Sequence, residues 1–203
     1  MSCIVLVGGK GLRLGRDKTQ ETIGSKTLLQ RVVSRIGFIN SDIIIVTGSR
    51  EQSLPCAAGY PELKIVTDIY PEKGPLGGVY TGLAMSDSLY NVVVACDMPF
   101  LNQALLEYMV RVASGFEVVV PRLGRMIEPL HAVYSRGCLD HIEHLFNRNE
   151  LRMRALFDMV KVRYVEESEI DLFDPKHLSF FNINNEADMR KAMGLAKNDD
   201  DKC

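Results

Sequence analysis

A glycine-rich, strongly basic loop lies close to the start of the chain. Its glycines are Gly8, Gly9 and Gly11, and glycine lets a backbone approach a ligand closely and point its N–H groups toward it. The cations in the same stretch are Lys10, Arg13, Arg16 and Lys18. The whole chain has a net charge of -2, so this positive cluster is a local feature. Residues 7–18 are therefore predicted to bind phosphate groups.

Two common phosphate-binding loops do not fit this segment. The dinucleotide pattern G-x-G-x-x-G, started at Gly9, requires glycine at position 14, where the chain has Leu14. A P-loop requires Gly-Lys-Ser or Gly-Lys-Thr, and neither sequence occurs. The loop therefore belongs to another class of phosphate-binding segment.

The elements around the loop predict an α/β fold. Apolar runs rich in Val and Ile predict strands at 4–7, 43–46, 63–66, 92–95, 118–120, 132–134 and 162–165. Helical spacing of apolar residues predicts helices at 28–36, 76–85, 101–112, 138–146, 151–159 and 186–196. Runs with little alternation are typical of parallel strands buried on both faces, and strands alternating with helices indicate a doubly wound sheet. The basic loop follows the first strand, and open α/β sheets bind ligands at that edge.

Size and composition point to one ordinary globular domain. The chain has 203 residues, of which 46% are hydrophobic and 25% charged. We predict a single domain over 1–196 and a disordered tail over 197–203, which carries three aspartates. The net charge provides no general attraction to nucleic acid or to an anionic membrane. No apolar run is long enough to span a bilayer.

The cysteines favour a reducing compartment. They stand at 3, 56, 96, 138 and 203, an odd number without C-x-x-C spacing, which argues against a disulfide framework and a zinc ribbon. No signal peptide is apparent, so we expect a cytoplasmic location. His141 and His144 lie three residues apart on a predicted helix, but no third ligand is apparent, and a solvated helix face is the better interpretation.

The loop and four later segments resemble one family of enzymes. The sequence L-V-G-G at 6–9, R-L-G at 13–15 and D-K at 17–18 is similar to the signature of the GT-A-like nucleotidyltransferases. The Asp-Lys ending is typical of the molybdenum cofactor guanylyltransferase family, MobA. Further matches in the same order are G-P-L-G-G at 74–78, C-D-M-P at 96–99, E-P-L-H-A at 128–132 and F-N-I-N at 181–184. The resemblance covers nearly the whole chain.

The resemblance implies a fold, an activity and a set of substrates. The fold is a single-domain three-layer α/β/α Rossmann-like structure with a mostly parallel central sheet, nucleoside-diphospho-sugar transferase-like. The activity is magnesium-dependent transfer of GMP from GTP to molybdopterin, with release of pyrophosphate and formation of the guanine dinucleotide cofactor. Molybdoenzyme apoproteins and other cofactor-biosynthesis proteins are possible further partners. Alternatives are CMP transfer to molybdopterin or to a methylerythritol phosphate, GMP transfer to another phosphorylated acceptor, and a non-catalytic protein that delivers cofactor.

Site residues follow from the motifs and from their positions after strands. Asp97 follows the strand at 92–95, where a carboxylate suits Mg²⁺ together with phosphate oxygens. The predicted catalytic residues are Lys18, Arg13 and Asp97, with Asp97 as the metal ligand. The predicted nucleotide-binding residues are Leu6, Val7, Gly8, Gly9, Lys18, Asp68 and Asp97. The predicted acceptor-binding residues are Gly74, Gly77, Gly78, Asn182 and Asn184.

Several of these positions have a second interpretation, and two depart from the family pattern. Asp68 could instead cap a strand end, and the two asparagines could be ordinary turn residues. The segment after the second strand has Gly48 and Ser49 where the family often has a nucleotide-contacting asparagine. Glu128 stands where the family often has glutamine. Its charge would suit a phosphorylated acceptor poorly unless it is paired, and the candidates for that pairing are Arg122 and Arg125.

Overall fold

A strand of apolar residues lies inside the central sheet. In the computed structural model, which describes residues 1–8, 21–37, 42–48 and 63–200 with side chains to 196, Ser2–Val7 forms strand β1 and is buried along its whole length. Alternate side chains pack into two different clusters, with Val5 on one side and Ile4 on the other. Burial on both faces is what an uninterrupted apolar strand requires.

The remaining elements alternate along the chain. The other strands are β2 Thr22–Ile23, β3 Lys26–Thr27, β4 Ile43–Thr47, β5 Leu63–Thr67, β6 Tyr90–Ala95, β7 Val118–Leu123, β8 Met126–Ile127, β9 His131–Ser135 and β10 Val162–Glu166. The helices are α1 Leu28–Ile36, α2 Gly74–Met85, α3 Gln103–Arg111, α4 Cys138–Asn147, α5 Met153–Phe157, α6 Glu167–Ile170 and α7 Glu186–Asp200. Short 3-10 turns cover Pro71–Lys73 and Leu178–Phe180.

The main sheet is mixed and mostly parallel. Its order is β10-β7-β9-β6-β1-β4-β5, with β8 paired to β7. Strand β9 runs antiparallel to β6 and β7, and β8 antiparallel to β7, while β1, β4, β5, β6, β7 and β10 share one direction. The predicted fold class is therefore confirmed. The carboxyl ends of six strands meet at one edge of the sheet.

Helices cover both faces of the sheet. Residues of α1 and α3 pack into the cluster that contains Val5, while residues of α2, α4 and α5 pack into the cluster that contains Ile4. Helix α7 packs into a third cluster through Met189, Ala192 and Ala196, together with Ile183. This arrangement gives the three layers predicted from the alternation of strands and helices.

Several element limits differ from the predicted ones for local reasons. Helix α3 begins at Gln103 because the Asn102 side chain caps it, accepting a hydrogen bond from Leu105 N. Helix α5 is shorter than predicted because Arg152 is extended and held by the Glu150 carboxylate. Helix α7 continues four residues past the predicted end at Ala196. Residues 201–203 lie outside the described chain, and the domain limits stay a prediction.

The described cysteines are buried thiols. Cys3, Cys96 and Cys138 form no disulfide bond with one another, whereas Cys56 and Cys203 lie outside the described residues. Burial raises the pKa of Cys3 and of Cys138 to about 12, so neither thiol is reactive at neutral pH. No described helix has both the length and the apolar character needed to cross a membrane.

The histidines at 141 and 144 do not form a metal site in the described part of the chain. His141 Nε2 lies 3.5 Å from the Glu117 carboxylate. Within residues 1–8, 21–37, 42–48 and 63–200, no group of three or more histidine, cysteine and acidic side chains is arranged to hold a metal ion. On this helix His144 is exposed and His141 is half-buried.

Glu169 stabilises the junction between β10, α6 and α3. Burial alone would raise the pKa of Glu169, but hydrogen bonds from Arg163, Tyr108 and the backbone of Glu166 outweigh it and lower the pKa from 4.5 to about 2. Because this pKa is lower in the folded protein, the stabilisation is complete above pH 4.5 and is lost as the pH falls toward 2. We expect Glu169→Gln to reduce the free energy of unfolding by about 1–2 kcal/mol at pH 7.

The measurement is urea unfolding at pH 7 and at pH 3. The difference between Glu169→Gln and wild type should shrink at the lower pH. Glu167→Gln on the exposed side of α6 is the control. It should leave the free energy of unfolding unchanged at both pH values. A difference that stays the same at both pH values would contradict the assigned role of the Glu169 charge.

Candidate active site

Polar and flexible residues follow the strands at the carboxyl edge of the sheet. Gly8 follows β1, Gly48 follows β4, Asp68 follows β5 and Asp97 comes two residues after β6. Gly8 and Gly48 are exposed, while Asp68 and Asp97 are half-buried. Strand β6 is the neighbour of β1, so Asp97 lies near the middle of this edge.

Asp97 is held between the central strands and the segment that precedes α7. Cys96 N donates to the carbonyl of Leu6 at 3.1 Å, which fixes the turn to β1. Ile183 N donates to the carbonyl of Asp97 at 3.0 Å. Residues about 85 positions apart in sequence are therefore brought together, so the C-D-M-P and F-N-I-N segments lie side by side.

Asn182 and Glu128 lie next to this contact. The Asn182 amide Nδ2 donates to Glu128 Oε2 at 3.4 Å, and Leu130 N donates to Glu128 Oε1 at 3.3 Å. Burial raises the pKa of Glu128, and the charge of Asp97 raises it further. The carboxylates of Glu128 and Asp97 are therefore near enough for the charge of one to affect the other.

Neither of the two arginines considered as partners for Glu128 pairs with it in the structure. Arg122 instead forms an ion pair with Glu166, with its Nε 3.1 Å from Oε2, and its guanidinium lies 4.5 Å from the centre of the Tyr164 ring. These partners lie on the next strand along the sheet, which holds Arg122 away from Glu128. Arg125 does not pair with Glu128 either; its carbonyl accepts a hydrogen bond from Arg154.

Asp68 organises the turn after β5. Its Oδ1 accepts hydrogen bonds from Tyr70 N at 3.0 Å and from Thr81 Oγ1 at 2.7 Å, and Thr81 Oγ1 in turn accepts from Ile69 N. Asp68 thus caps the strand end, the second interpretation given to it. Oδ2 accepts no hydrogen bond from the described residues, so a nucleotide contact for Asp68 stays a prediction.

The glycines of the 74–78 motif do not have equivalent positions. Gly74 is exposed and has φ +61°, a left-handed conformation that allows the 3-10 turn to lead into α2. A Cβ on Gly77 would lie 2.3 Å from the carbonyl oxygen of Tyr70, and one on Gly78 would lie 3.2 Å from the Leu6 side chain. Close packing therefore explains Gly77 and Gly78, and acceptor binding by all three stays a prediction.

The remaining predicted site residues differ in what the structure describes. Leu6 and Val7 are buried in β1. Asn184 is exposed, and its N–H donates to Asp188 Oδ2 at 2.9 Å near the start of α7. Gly9, Arg13 and Lys18 lie outside the described residues, as do Lys10, Arg16, Asp17 and Ser49.

One buried histidine beside the site has a protonation state that the sequence did not predict. His131 opens β9 opposite Val94 and lies 5.0 Å from the Phe180 ring. Burial lowers its pKa to about 4, and neither ring nitrogen has a hydrogen-bond partner among the described residues. The imidazole is therefore neutral at physiological pH.

A family comparison agrees with this arrangement. Residues 3–166 match the family described as MobA-like NTP transferase domain. The chain belongs to this family. The matched region contains β1 except Ser2, the turn at Asp68, α2, Asp97 and Glu128, whereas Asn182 and Asn184 lie beyond it.

Individual relatives cover almost the whole chain. A protein of Methanosarcina mazei named probable molybdenum cofactor guanylyltransferase is 37% identical over 97% of this chain and 91% of its own length. A protein of Desulfosudis oleivorans named molybdenum cofactor guanylyltransferase is 31% identical over 96% of this chain and 95% of its own.

Solved structures show the same architecture. Molybdopterin-guanine dinucleotide biosynthesis protein A of Archaeoglobus fulgidus superimposes with a TM-score of 0.83 at 26% identity, covering 98% of this chain and 100% of its own. A 4-diphosphocytidyl-2C-methyl-D-erythritol synthase of Anaerococcus prevotii superimposes with a TM-score of 0.72 at 14% identity, covering 97% of each chain. The second similarity shows the shared fold alone.

Proposed function

We propose that this protein transfers GMP from GTP to molybdopterin, releasing pyrophosphate and forming a guanine dinucleotide cofactor. Relatives named molybdenum cofactor guanylyltransferase match over more than nine-tenths of both chains, which supports this choice of substrates over those of other nucleotidyltransferases. A non-catalytic delivery role is less well supported, because the family is one of NTP transferases.

One observation carries the proposal. Asp97 lies between two groups of predicted substrate contacts, with Gly8, Gly48 and Asp68 on one side and the Asn182–Glu128 pair on the other. A nucleotidyl transfer between two phosphorylated molecules needs separate places for donor and acceptor, because the acceptor oxygen must approach the α-phosphorus of GTP from the side opposite the departing pyrophosphate. The donor nucleotide is assigned to the side of β1, β4 and β5, and the acceptor to the side of β9.

The carboxylates at this edge suit a divalent cation. Asp97 and Glu128 bring two carboxylates to this edge; burial, and to a smaller extent the charge of Asp97, raise the pKa of Glu128. Mg²⁺ favours one or two carboxylates combined with phosphate oxygens and water. Asp97 would hold it, and when bound it would withdraw charge from the phosphates of the nucleotide.

The chain itself supplies positioning and charge stabilisation. Lys18 and Arg13 are assigned to the phosphates of GTP, and α2, whose first turn has no side-chain cap among the described residues, follows β5 at the same edge. An oxygen of the acceptor's terminal phosphate attacks the α-phosphorus, a new P–O bond forms, and the bond to the departing pyrophosphate breaks. The phosphate nucleophile is already ionised, so no general base is required. Holding the two phosphates in line is the main contribution of the protein.

The decisive experiment supplies GTP, Mg²⁺ and molybdopterin and follows both pyrophosphate and the dinucleotide product. We expect both to appear in equal amounts and only when all three components are present. Replacement of GTP by CTP tests the base, since tight Mg²⁺-dependent binding of CTP but not GTP would exclude guanylyl transfer. Omission of Mg²⁺ tests the metal requirement.

A further inference from the structure

Glu128 determines how the Asn182 amide is oriented. Asn182 Nδ2 lies 3.4 Å from Glu128 Oε2. An ionised carboxylate has no proton to donate, so the amide must direct its NH₂ group toward Glu128. The Asn182 Oδ1 atom then faces away from Glu128, and it accepts no hydrogen bond from the described residues. The pair thus presents three oxygen atoms, and its one remaining side-chain donor is the second N–H of the Asn182 amide.

Glu128 also lacks a positive partner in the described part of the chain. Arg122 is occupied by Glu166 and by the Tyr164 ring. The only polar contacts described for the Glu128 carboxylate are those from Leu130 N and Asn182 Nδ2, which leave a lone pair on each oxygen. A half-buried carboxylate in this state has a strong requirement for further hydrogen-bond donors.

The position of the pair identifies which substrate it faces. Glu128 lies between β8 and β9, and β9 is next to β6 on the side away from β1, β4 and β5. Leu130, in the same turn, accepts a hydrogen bond from Ala95 N through its carbonyl at 3.1 Å, so this turn lies at the carboxyl end of β6. The pair is therefore on the acceptor side of Asp97, opposite the nucleotide side.

We propose that Glu128, with the Asn182 amide it orients, recognises the amino-pyrimidinone edge of the acceptor's pterin. This edge has a ring N–H next to an exocyclic NH₂, two donors that match the two oxygens of a carboxylate. The inference rests on the proposed function, because it takes the acceptor to be a pterin. Guanine has the same edge, so the test must separate recognition of the acceptor from recognition of GTP.

Binding of two small pterins tests the chemistry without turnover. Pterin carries the exocyclic amino group, and lumazine carries an oxygen in its place. We expect the wild-type protein to bind pterin about tenfold or more tightly than lumazine by calorimetry, because a site built from acceptors rejects an oxygen. In Glu128→Gln the new amide NH₂ can donate to that oxygen, so the preference should disappear or reverse.

Two further variants make the test specific. Glu107→Gln changes a carboxylate on α3 whose described partner is Gln103, and it should retain the wild-type preference. Asn182→Ala removes the oriented amide. The double variant Asn182→Ala/Glu128→Gln should bind pterin only slightly less tightly than either single variant, because the two side chains act as one unit. Equal affinities for the two pterins in wild type, no binding of either, or an unchanged preference in Glu128→Gln would overturn the proposal.

The transfer assay separates this inference from the proposed function. With Glu128→Gln we expect the KM for molybdopterin to rise about tenfold or more while the KM for GTP stays unchanged. A rise in the KM for GTP instead, or a changed Mg²⁺ requirement with an intact pterin preference, would overturn the assignment to the acceptor. If wild type releases no pyrophosphate, the proposed function fails, whereas the pterin preference can still be measured by calorimetry.

Discussion

Asp97→Asn is expected to lower kcat for pyrophosphate release by about a hundredfold or more. The change keeps the size of the side chain and removes its charge, so a metal would lose its carboxylate ligand at the centre of the sheet edge. Asp97 is half-buried and its backbone carbonyl accepts a hydrogen bond from Ile183 N at 3.0 Å, which fixes the position of the residue. Steady-state kinetics over a range of Mg²⁺ concentrations, with saturating GTP and molybdopterin, provide the measurement.

The matched control is Asp87→Asn. Asp87 is exposed in the turn between α2 and β6, at the opposite edge of the sheet, and the change should leave kcat within about twofold of wild type. The urea midpoints of both variants should remain close to that of wild type, which would separate a chemical effect from unfolding. If Asp97→Asn retained full activity at ordinary Mg²⁺ concentrations, the assignment of Asp97 as the metal ligand would be wrong.

The strands of the fold could be predicted because they are long and uniformly apolar. β1 has five consecutive buried apolar residues after Ser2, and β4 has four before Thr47. Such runs are expected inside a sheet that is covered on both faces. The direction of β9 could not be read in this way, because its short apolar run has the same appearance in either direction. The β2–β3 hairpin and β8 have strands of two residues each, too short to produce any periodic pattern.

The placement of site residues could be predicted where they lie immediately after strands. The partners of side chains that have more than one candidate partner could not. The position of Asp97 after β6 followed from the apolar run before it, whereas its contact with Ile183 depends on the tertiary structure. The partner of Arg122 depended on the register of β10 beside β7, which places Glu166 opposite Arg122. That register is a property of the tertiary structure, so the sequence could not exclude Glu128 as the alternative.

Gly77→Ala is expected to lower the free energy of unfolding by about 2–3 kcal/mol. The added Cβ would lie 2.3 Å from the Tyr70 carbonyl oxygen, a backbone atom that cannot rotate out of the way. The same carbonyl accepts a hydrogen bond from Lys73 N, and Tyr70 N donates to Asp68. A shift that relieves the contact must therefore disturb the turn that Asp68 organises. Urea unfolding monitored by circular dichroism gives the measurement.

Gly194→Ala is the control, since both glycines lie in helices and gain the same intrinsic helix propensity on substitution. A Cβ added at Gly194 would have no atom within 4 Å. The free energy of unfolding of this variant should therefore rise by up to about 1 kcal/mol. The comparison also tests the role first assigned to Gly77. If Gly77 served mainly to contact the acceptor, its substitution would raise the KM for molybdopterin and leave the stability close to that of Gly194→Ala. A large loss of stability would instead identify this glycine as the residue that allows α2 to pack against the turn beside Asp68.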